Sequence, residues 1–235
     1  MSLTMIFAAA FAAAGPQTIG NFAGSGPIPA PWRVVRVSKS VPPTSYRQAT
    51  IDGIGAIEAN ANSSMALLAR PIAVDLEATP ILCWRWRVDA PVAAADMTTK
   101  KGDDYAARVY ITFDIPDVLL GSGTRFKLSL ARRFFGADLP DAGLIYVWDN
   151  RHPVGTTRRS AYTDRAQLIV AETGTARASR WVSERADIAA DYVRAFPGQP
   201  GKAIQLAIAS DTDNTRSIAH AAFADIRFVA RNNRC

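Results

Sequence analysis

Short alternations of apolar and polar residues recur along this 235-residue chain, and they constrain its fold more than any other feature. Residues 81–88 read ILCWRWRV and residues 105–113 read YAARVYITF. Successive side chains of a strand point to opposite faces, so a period of two indicates β-strands. Turn residues separate such segments every eight to fifteen residues, a spacing typical of β-sandwiches. Strands are predicted at residues 32–37, 45–51, 55–60, 64–71, 81–88, 105–113, 127–130, 144–148, 166–171, 181–187, 204–210 and 221–230.

One helix is predicted, at residues 188–196. Asp187 is a suitable N-cap, the apolar residues that follow have helical spacing, and Pro197 and Gly198 end the segment. With 49% apolar residues the chain can bury a sizeable core. The pattern predicts an all-β fold, an antiparallel β-sandwich of the jelly-roll kind, with residues 32–235 forming one domain.

The N-terminal residues predict export. Residues 1–14 (MSLTMIFAAAFAAA) contain an apolar block of ten residues and small residues at 12 and 14, as in a signal peptide, although an ordinary apolar arm is the alternative. Ten residues are too few for a transmembrane helix, so no membrane span is expected. Residues 15–31 form a Gly- and Pro-rich lead-in, and the mature protein is expected to be periplasmic or secreted.

The two cysteines lie far apart in the sequence. Cys83 falls inside a strand pattern, whereas Cys235 is the last residue. A buried thiol and a free terminal thiol are expected rather than a bridge, although an exported chain would permit one.

The basic residues do not point to nucleic acid. Lys and Arg number 27 against 21 Asp and Glu, a net charge of +6, and only five of the 27 are Lys. The arginines are scattered and accompany no recognition motif, so we expect no nucleic-acid partner. Codon bias or the recognition of carboxylates and phosphates would each explain an arginine excess.

Strand alternation gives each central strand one apolar face, and the opposite faces together carry a mixture of Arg, aromatic, Gln and Asp side chains. Flat rings stack on the C–H face of a sugar while Arg, Gln and Asp bond its hydroxyls, so this second face predicts a glycan or other polyhydroxylated ligand. Alternatively, a loop or helix covers the face, and its arginines pair with buried aspartates. The predicted ligand-binding residues are Arg85, Arg108, Tyr110, Tyr146, Trp148, Gln167, Gln205 and Asp211.

An enzyme is the alternative function, namely a polysaccharide lyase or glycoside hydrolase. An arginine would stabilise developing negative charge, a tyrosine or histidine would move the proton, and an aspartate would assist it. His152, which precedes Pro153, could instead be a turn residue. The candidate catalytic residues are Arg108, Tyr110, Tyr146, His152, Asp104 and Asp164.

The loop from Asp211 to Thr215 (DTDNT) offers oxygen ligands at alternating positions. Asp211 and Asp213 could therefore bind a structural calcium ion, which prefers oxygen ligands. The alternative is an Asx-turn that satisfies its own backbone.

Several motifs resemble a bacterial exported family known as domain of unknown function 3047 (DUF3047). The resemblance covers residues 32–228, and its motifs are WRWRV (84–88), KGDDYAARVY (101–110), YVW (146–148), TDR (163–165), DIAADY (187–192), SDTDNT (210–215) and AFADI (222–226). The closing strand after a turn-rich loop is similar to the end of galactose-binding-like carbohydrate modules. This resemblance implies a jelly-roll fold and no particular activity.

Overall fold

Two β-sheets stack face to face in the computed structural model, which describes residues 15–36, 38–125 and 140–235. The predicted signal peptide at 1–14 and the predicted strand at 127–130 lie outside the described residues. The strands are β1 (Gln17–Gly20), β2 (Arg33–Val35), β3 (Ser45–Ile51), β4 (Ile54–Asn62), β5 (Leu67–Pro71), β6 (Ile81–Val88), β7 (Tyr105–Asp114), β8 (Ala142–Asp149), β9 (Thr157–Arg159), β10 (Ala166–Thr173), β11 (Val182–Asp187), β12 (Lys202–Asp211) and β13 (Ile218–Val229).

We call the two sheets A and B. Sheet A has the order β11-β6-β13-β4-β3, with β1 paired to β13, and sheet B has the order β2-β5-β12-β7-β8-β10-β9. The predicted β-sandwich is confirmed, and β3 and β6 begin and end at the predicted residues. One pairing departs from the antiparallel prediction, since β10 runs parallel to β8. The sequence did not predict β1, which adds part of the lead-in to sheet A, or the three-residue β9.

Four large aromatic side chains form the centre of the core, and we call them the aromatic layer. Trp84 of sheet A contacts Tyr146 of sheet B with ring centroids 5.4 Å apart, and Trp86 contacts Trp148 at 5.8 Å. All four side chains are at most 2% exposed. Such rings contribute both buried area and specific edge and face contacts, so the layer fixes how the sheets stack.

The prediction that Tyr146 and Trp148 lie on the ligand-binding face of β8 is therefore wrong. Both faces of β8 are apolar in sequence, and Ile145 and Val147 occupy the other face. Tyr146 lies opposite Val109 of β7, a residue of the apolar set, so it shares the core face. Alternation groups the residues of a strand but does not say which of two apolar groups faces the partner sheet.

The predicted helix is confirmed as α1 (Ile188–Ala195), which follows β11 directly. The Asp187 carboxylate accepts a hydrogen bond from the Ala190 amide, as an N-cap does. On its buried side, Tyr192 packs on Phe113 of β7 with ring centroids 4.1 Å apart. Among the described residues, no helix has the length and apolarity to span a membrane.

The cysteines form a disulfide, which corrects the expectation of two separate thiols. Cys83 and Cys235 have their Cα atoms 5.5 Å apart and are bonded to each other. The register places Ile81 of β6 opposite Val229, the last residue of β13, so the C-terminal tail begins beside β6. This strand pairing brings together two cysteines that are 152 positions apart in the sequence.

Candidate functional site

The predicted binding face is divided between the two sheets. Arg85 lies on β6 in sheet A, where it forms an ion pair with Asp225, a bulge residue with a φ of 53°. Gln167 and Gln205 are partly exposed on β10 and β12 of sheet B. With Tyr146 and Trp148 in the core, the eight predicted residues do not form one surface.

Arg108 is the centre of a buried charged group on the outer face of sheet B. It is 3% exposed, and its Nε donates to Asp211 Oδ1 at 2.8 Å. Its Nη1 donates to Asp103 Oδ1 at 3.3 Å, and its Nη2 donates to the Asp103 carbonyl. The guanidinium carbon lies 4.6 Å from the centre of the Tyr105 ring. Arg108 is thus paired with buried aspartates, which agrees with the alternative interpretation that the arginines of this face are covered and paired.

Asp104 joins the two loops above Arg108. Its Oδ2 accepts hydrogen bonds of 2.6 Å from both the amide and the hydroxyl of Thr215, and its Oδ1 accepts one from the Asn214 amide group at 3.2 Å. These bonds attach the loop before β7 to the loop after β12, so Asp104 has a structural role. We call Asp103, Asp104, Arg108, Asp211 and Asp213 the Arg108 cluster.

The Arg108 cluster has four carboxylates and one guanidinium. Burial raises the pKa of the Asp211 carboxyl, the nearby Asp103 and Asp104 add to this effect, and Arg108 opposes it. Burial and Asp104 also raise the pKa of Asp213. The excess of negative charge would be relieved by a proton or by a cation.

Asp104 adds a third carboxylate to the two that the sequence predicts as calcium ligands. Oxygen atoms of Asp104, Asp211 and Asp213 all lie within 4.8 Å of one another. Protein donors already bond Asp104 and Asp211, whereas Asp213 Oδ1 is buried and has no hydrogen-bond partner among the described residues. Calcium at Asp211 and Asp213 stays a prediction, now with Asp104 as a further ligand.

Tyr162 lies beside the Arg108 cluster, and sequence reasoning missed it. Among the aromatic side chains of the described residues it alone is largely exposed, at 53%. Its hydroxyl donates to Asn214 Oδ1 at 2.9 Å, and the Lys100 ammonium lies 5.3 Å from its ring centre. We call Lys100, Tyr162, Asp213 and Asn214 the Tyr162 patch. An isolated aromatic residue in the polar turn SAYTDR (160–165) was the available signal, since such a residue has no strand face to join.

The remaining candidate catalytic residues lie in separate places. His152 Nδ1 is 3.0 Å from Asp149 Oδ1, which also accepts the amide hydrogens of Arg151 and His152, so this histidine is part of a turn. Tyr146 donates to Asp191 of α1 at 2.6 Å.

Tyr110 and Asp164 complete the set. Tyr110 neighbours Arg108 on β7, and burial raises the pKa of its phenol. Asp164 is exposed in the Tyr162 loop. Arg108 therefore comes together with Tyr110 and Asp104 but not with His152 or Tyr146.

The chain belongs to the DUF3047 family, whose description is "Protein of unknown function", and the family model matches residues 30–227. The suspected family is thus confirmed. No curated protein matches this chain.

Distant similarity to solved structures extends over most of the chain. A Family 11 carbohydrate-binding module from Clostridium thermocellum, in complex with a β-1,3-1,4-mixed-linked tetrasaccharide, is 9% identical and has a TM-score of 0.44, with 93% of this chain and 98% of that chain covered. The Family 11 module of the cellulosomal cellulase Lic26A-Cel5E from the same organism is 8% identical, with a TM-score of 0.46 and coverage of 95% and 99%. The xyloglucanase domain of NopAA from Sinorhizobium fredii, in complex with cellobiose, is 10% identical, with a TM-score of 0.34 and coverage of 86% and 99%. At these scores the similarity assigns neither a ligand nor a reaction to this chain.

Proposed function

We propose that this member of the DUF3047 family binds a glycan or another polyhydroxylated ligand at the Tyr162 patch. The observation that carries the proposal is the exposed ring of Tyr162 beside the amide of Asn214 and the carboxylate of Asp213. A sugar presents an apolar C–H face to a ring and hydroxyl groups to amides and carboxylates, so the patch offers both kinds of contact.

The Tyr162 ring is held in place before any ligand arrives. Its hydroxyl is within 3.2 Å of the Lys100 carbonyl as well as 2.9 Å from Asn214. Asn214 is in turn bonded to Asp104. A ring fixed in this way loses little conformational freedom on binding, which favours affinity.

The Arg108 cluster supports the patch from below. Arg108 holds Asp103 and Asp211, and Asp104 holds Asn214 and Thr215, so both loops that border the patch are anchored to sheet B. In this proposal Arg108 and Asp211 are positioning residues. Tyr146 and Trp148 contribute through the stability of the sandwich and make no contact with the ligand.

We also propose that the protein functions in the periplasm or outside the cell. The bond between Cys83 and Cys235 supports this location, because disulfides persist mainly in oxidising compartments. The apolar block at 5–14 supports it independently, as a signal-peptide core.

A glycan array followed by calorimetry tests the binding proposal. Tyr162→Ala is expected to weaken binding of any glycan found by roughly tenfold, because it removes the apolar ring on which the sugar stacks, and a loss of about 1.4 kcal/mol is tenfold in affinity. Tyr162→Phe is expected to retain most of the affinity, since it keeps the ring. Ile218→Ala removes another largely exposed apolar side chain and is the matched control. Undiminished binding by a folded Tyr162→Ala variant would overturn the assignment of this patch.

A further inference from the structure

A cavity of about 570 Å³ lies beside α1, apart from the Tyr162 patch. Its walls are α1, the loop that follows β5, and the loop 198–201 that leads into β12. This volume lies within the range of cavities that bind small organic molecules.

The floor of the cavity is apolar because α1 is amphipathic. Tyr192 and Phe196 contact each other with ring centroids 5.3 Å apart and are 5% and 3% exposed. Val193 also lines the cavity, and its side chain is 64% exposed. An exposed valine beside buried aromatic rings gives the cavity an apolar surface that a ligand would remove from water.

One polar atom in the floor has no partner. The Tyr192 side chain lines the cavity, and its hydroxyl is buried and has no hydrogen-bond partner among the described residues. Burial raises the pKa of this phenol to about 12, so it keeps its proton at neutral pH and can donate. A Cβ atom on Gly201 would lie 2.2 Å from this hydroxyl, so only glycine allows the chain to pass here. A buried hydroxyl without a partner is unfavourable, and a ligand acceptor that enters beside the adjacent Gly201 would satisfy it.

The charged residues at the cavity are mainly acidic. Asp75 and Glu77 lie on one wall and Lys202 on another, and all three are exposed. Asp75 Oδ1 accepts the amide hydrogen of Glu77 at 2.9 Å, which fixes the turn that presents Glu77. Neither Glu77 nor Lys202 has an ion pair within the described part of the chain, which leaves both charges available. Two carboxylates against one ammonium favour a positively charged ligand.

We propose that this cavity binds a small apolar primary amine that also carries a carbonyl or hydroxyl oxygen, as the amino end of an apolar peptide does. The apolar group lies over Val193 and the aromatic floor, the oxygen accepts the hydrogen of the Tyr192 hydroxyl, and the ammonium faces Glu77. The site is independent of the glycan proposal, since it shares no residue with the Tyr162 patch.

Three probes with the same benzyl group and different charge test the proposal at pH 6. L-Phenylalaninamide is positively charged at this pH, N-acetyl-L-phenylalaninamide is neutral, and N-acetyl-L-phenylalanine is negatively charged. Binding is measured by NMR titration of the full chain, with the Val193 methyl signals reporting on the cavity. L-Phenylalaninamide is expected to bind about threefold more tightly than the anionic probe, the ratio typical of an exposed charge pair.

Two variants separate the proposed contacts. Tyr192→Phe keeps the ring that packs on Phe113. It is expected to lower the affinity for all three probes by about threefold to tenfold, the effect of one lost hydrogen bond. Glu77→Gln is expected to remove the preference for the positive probe, whereas Asp52→Asn, a change in an exposed turn outside the cavity, leaves it intact.

Three results would overturn the proposal. They are a preference for the anionic probe, the absence of Val193 shifts up to about 20 mM of L-phenylalaninamide, and unchanged affinities in Tyr192→Phe. Tyr162→Ala is expected to leave all probe affinities unchanged, and loss of probe binding in that variant would also exclude the cavity as the site.

Discussion

The aromatic layer between the sheets and the Arg108 cluster on the outer face of sheet B are both largely buried, yet they are stabilised differently. Trp148 and its neighbours are held by apolar contact, with ring centroids 5.4–5.8 Å apart. Arg108 is held by charged hydrogen bonds to Asp103 and Asp211. Burial of apolar rings is favourable in itself, whereas burial of charges is tolerated only while each charge keeps its partner. The first region thus determines the fold, and the second determines where two loops are placed.

Removing a ring from the aromatic layer has the largest expected effect. We expect Trp148→Ala to lower the free energy of unfolding by about 3–5 kcal/mol, because it leaves a cavity in a packed core. Urea unfolding measures the change. Val154→Ala, at a side chain that is 59% exposed, is the control and should stay within about 0.5 kcal/mol of wild type. If Trp148→Ala lowers the free energy of unfolding by less than about 1 kcal/mol, the aromatic layer is not a main source of the stability of the core.

Removing the guanidinium of the Arg108 cluster has the second-largest expected effect on stability. Arg108→Met leaves Asp103 and Asp211 without their partner, and we expect urea unfolding at pH 9 to show a loss of about 3 kcal/mol. Lowering the pH to 6 should reduce this loss, because burial raises the pKa of Asp211 to about 8 and a protonated Asp211 no longer needs the guanidinium. The double variant Arg108→Met/Asp211→Asn tests the pairing, because it should recover part of the stability. If the double variant is less stable than Arg108→Met, the pair is not the main role of Asp211.

Glu184 is a titratable neighbour of the aromatic layer and accepts a hydrogen bond from Trp86 Nε1 at 3.2 Å. Burial raises the pKa of Glu184 to about 7, and Glu172 adds to the effect. The folded protein therefore keeps a proton that the unfolded chain releases at lower pH, so this group's contribution to stability falls as the pH rises from about 4.5 to 7.

Glu184→Gln should remove this slope, which is measured by urea unfolding between pH 5 and 7.5. The expected difference is on the order of 1 kcal/mol, since one pKa unit is worth about 1.4 kcal/mol and a partly hydrated group contributes less than its full shift. Glu77→Gln, at an exposed glutamate, is the matched control. If the pH dependence of the free energy of unfolding is unchanged in Glu184→Gln, another titratable group is responsible for it.

Calcium at the Arg108 cluster should have the smallest effect. At a calcium concentration equal to its dissociation constant, bound calcium would stabilise the protein by about 0.4 kcal/mol. Thermal unfolding with increasing calcium chloride measures this, and magnesium chloride controls for ionic strength. Asp213→Asn should abolish the response. A response that survives this substitution would exclude Asp213 as a ligand.

Most of the sandwich was predictable because strand periodicity is a local property. β6 was predicted at its observed residues, and α1 was predicted from the Asp187 cap and the helical spacing of Ile188 and Tyr192. β8 was predicted as a strand, but its orientation was not predictable because Tyr146 and Ile145 are equally plausible core residues.

The candidate sites were less predictable. Arg108, Tyr110, Asp104 and Asp211 were singled out and do come together, since they lie on or beside the adjacent strands β7 and β12. Tyr162 was missed because its importance depends on its contacts with residues of two other loops. The cavity beside α1 is formed by three segments that are distant in sequence, and no local pattern indicates it.

By itself the sequence determined the strands, the helix and the sets of residues that share a strand face, because these follow from backbone geometry and local spacing. Tertiary structure alone decided which face of β8 meets the partner sheet, that Cys83 meets Cys235, and that Arg108 is enclosed by aspartates while Tyr162 is exposed. The physical reason is that burial and partnership depend on what packs against a strand, and many of these partners are distant in sequence: Asp211 is 103 positions from Arg108, and Cys235 is 152 positions from Cys83.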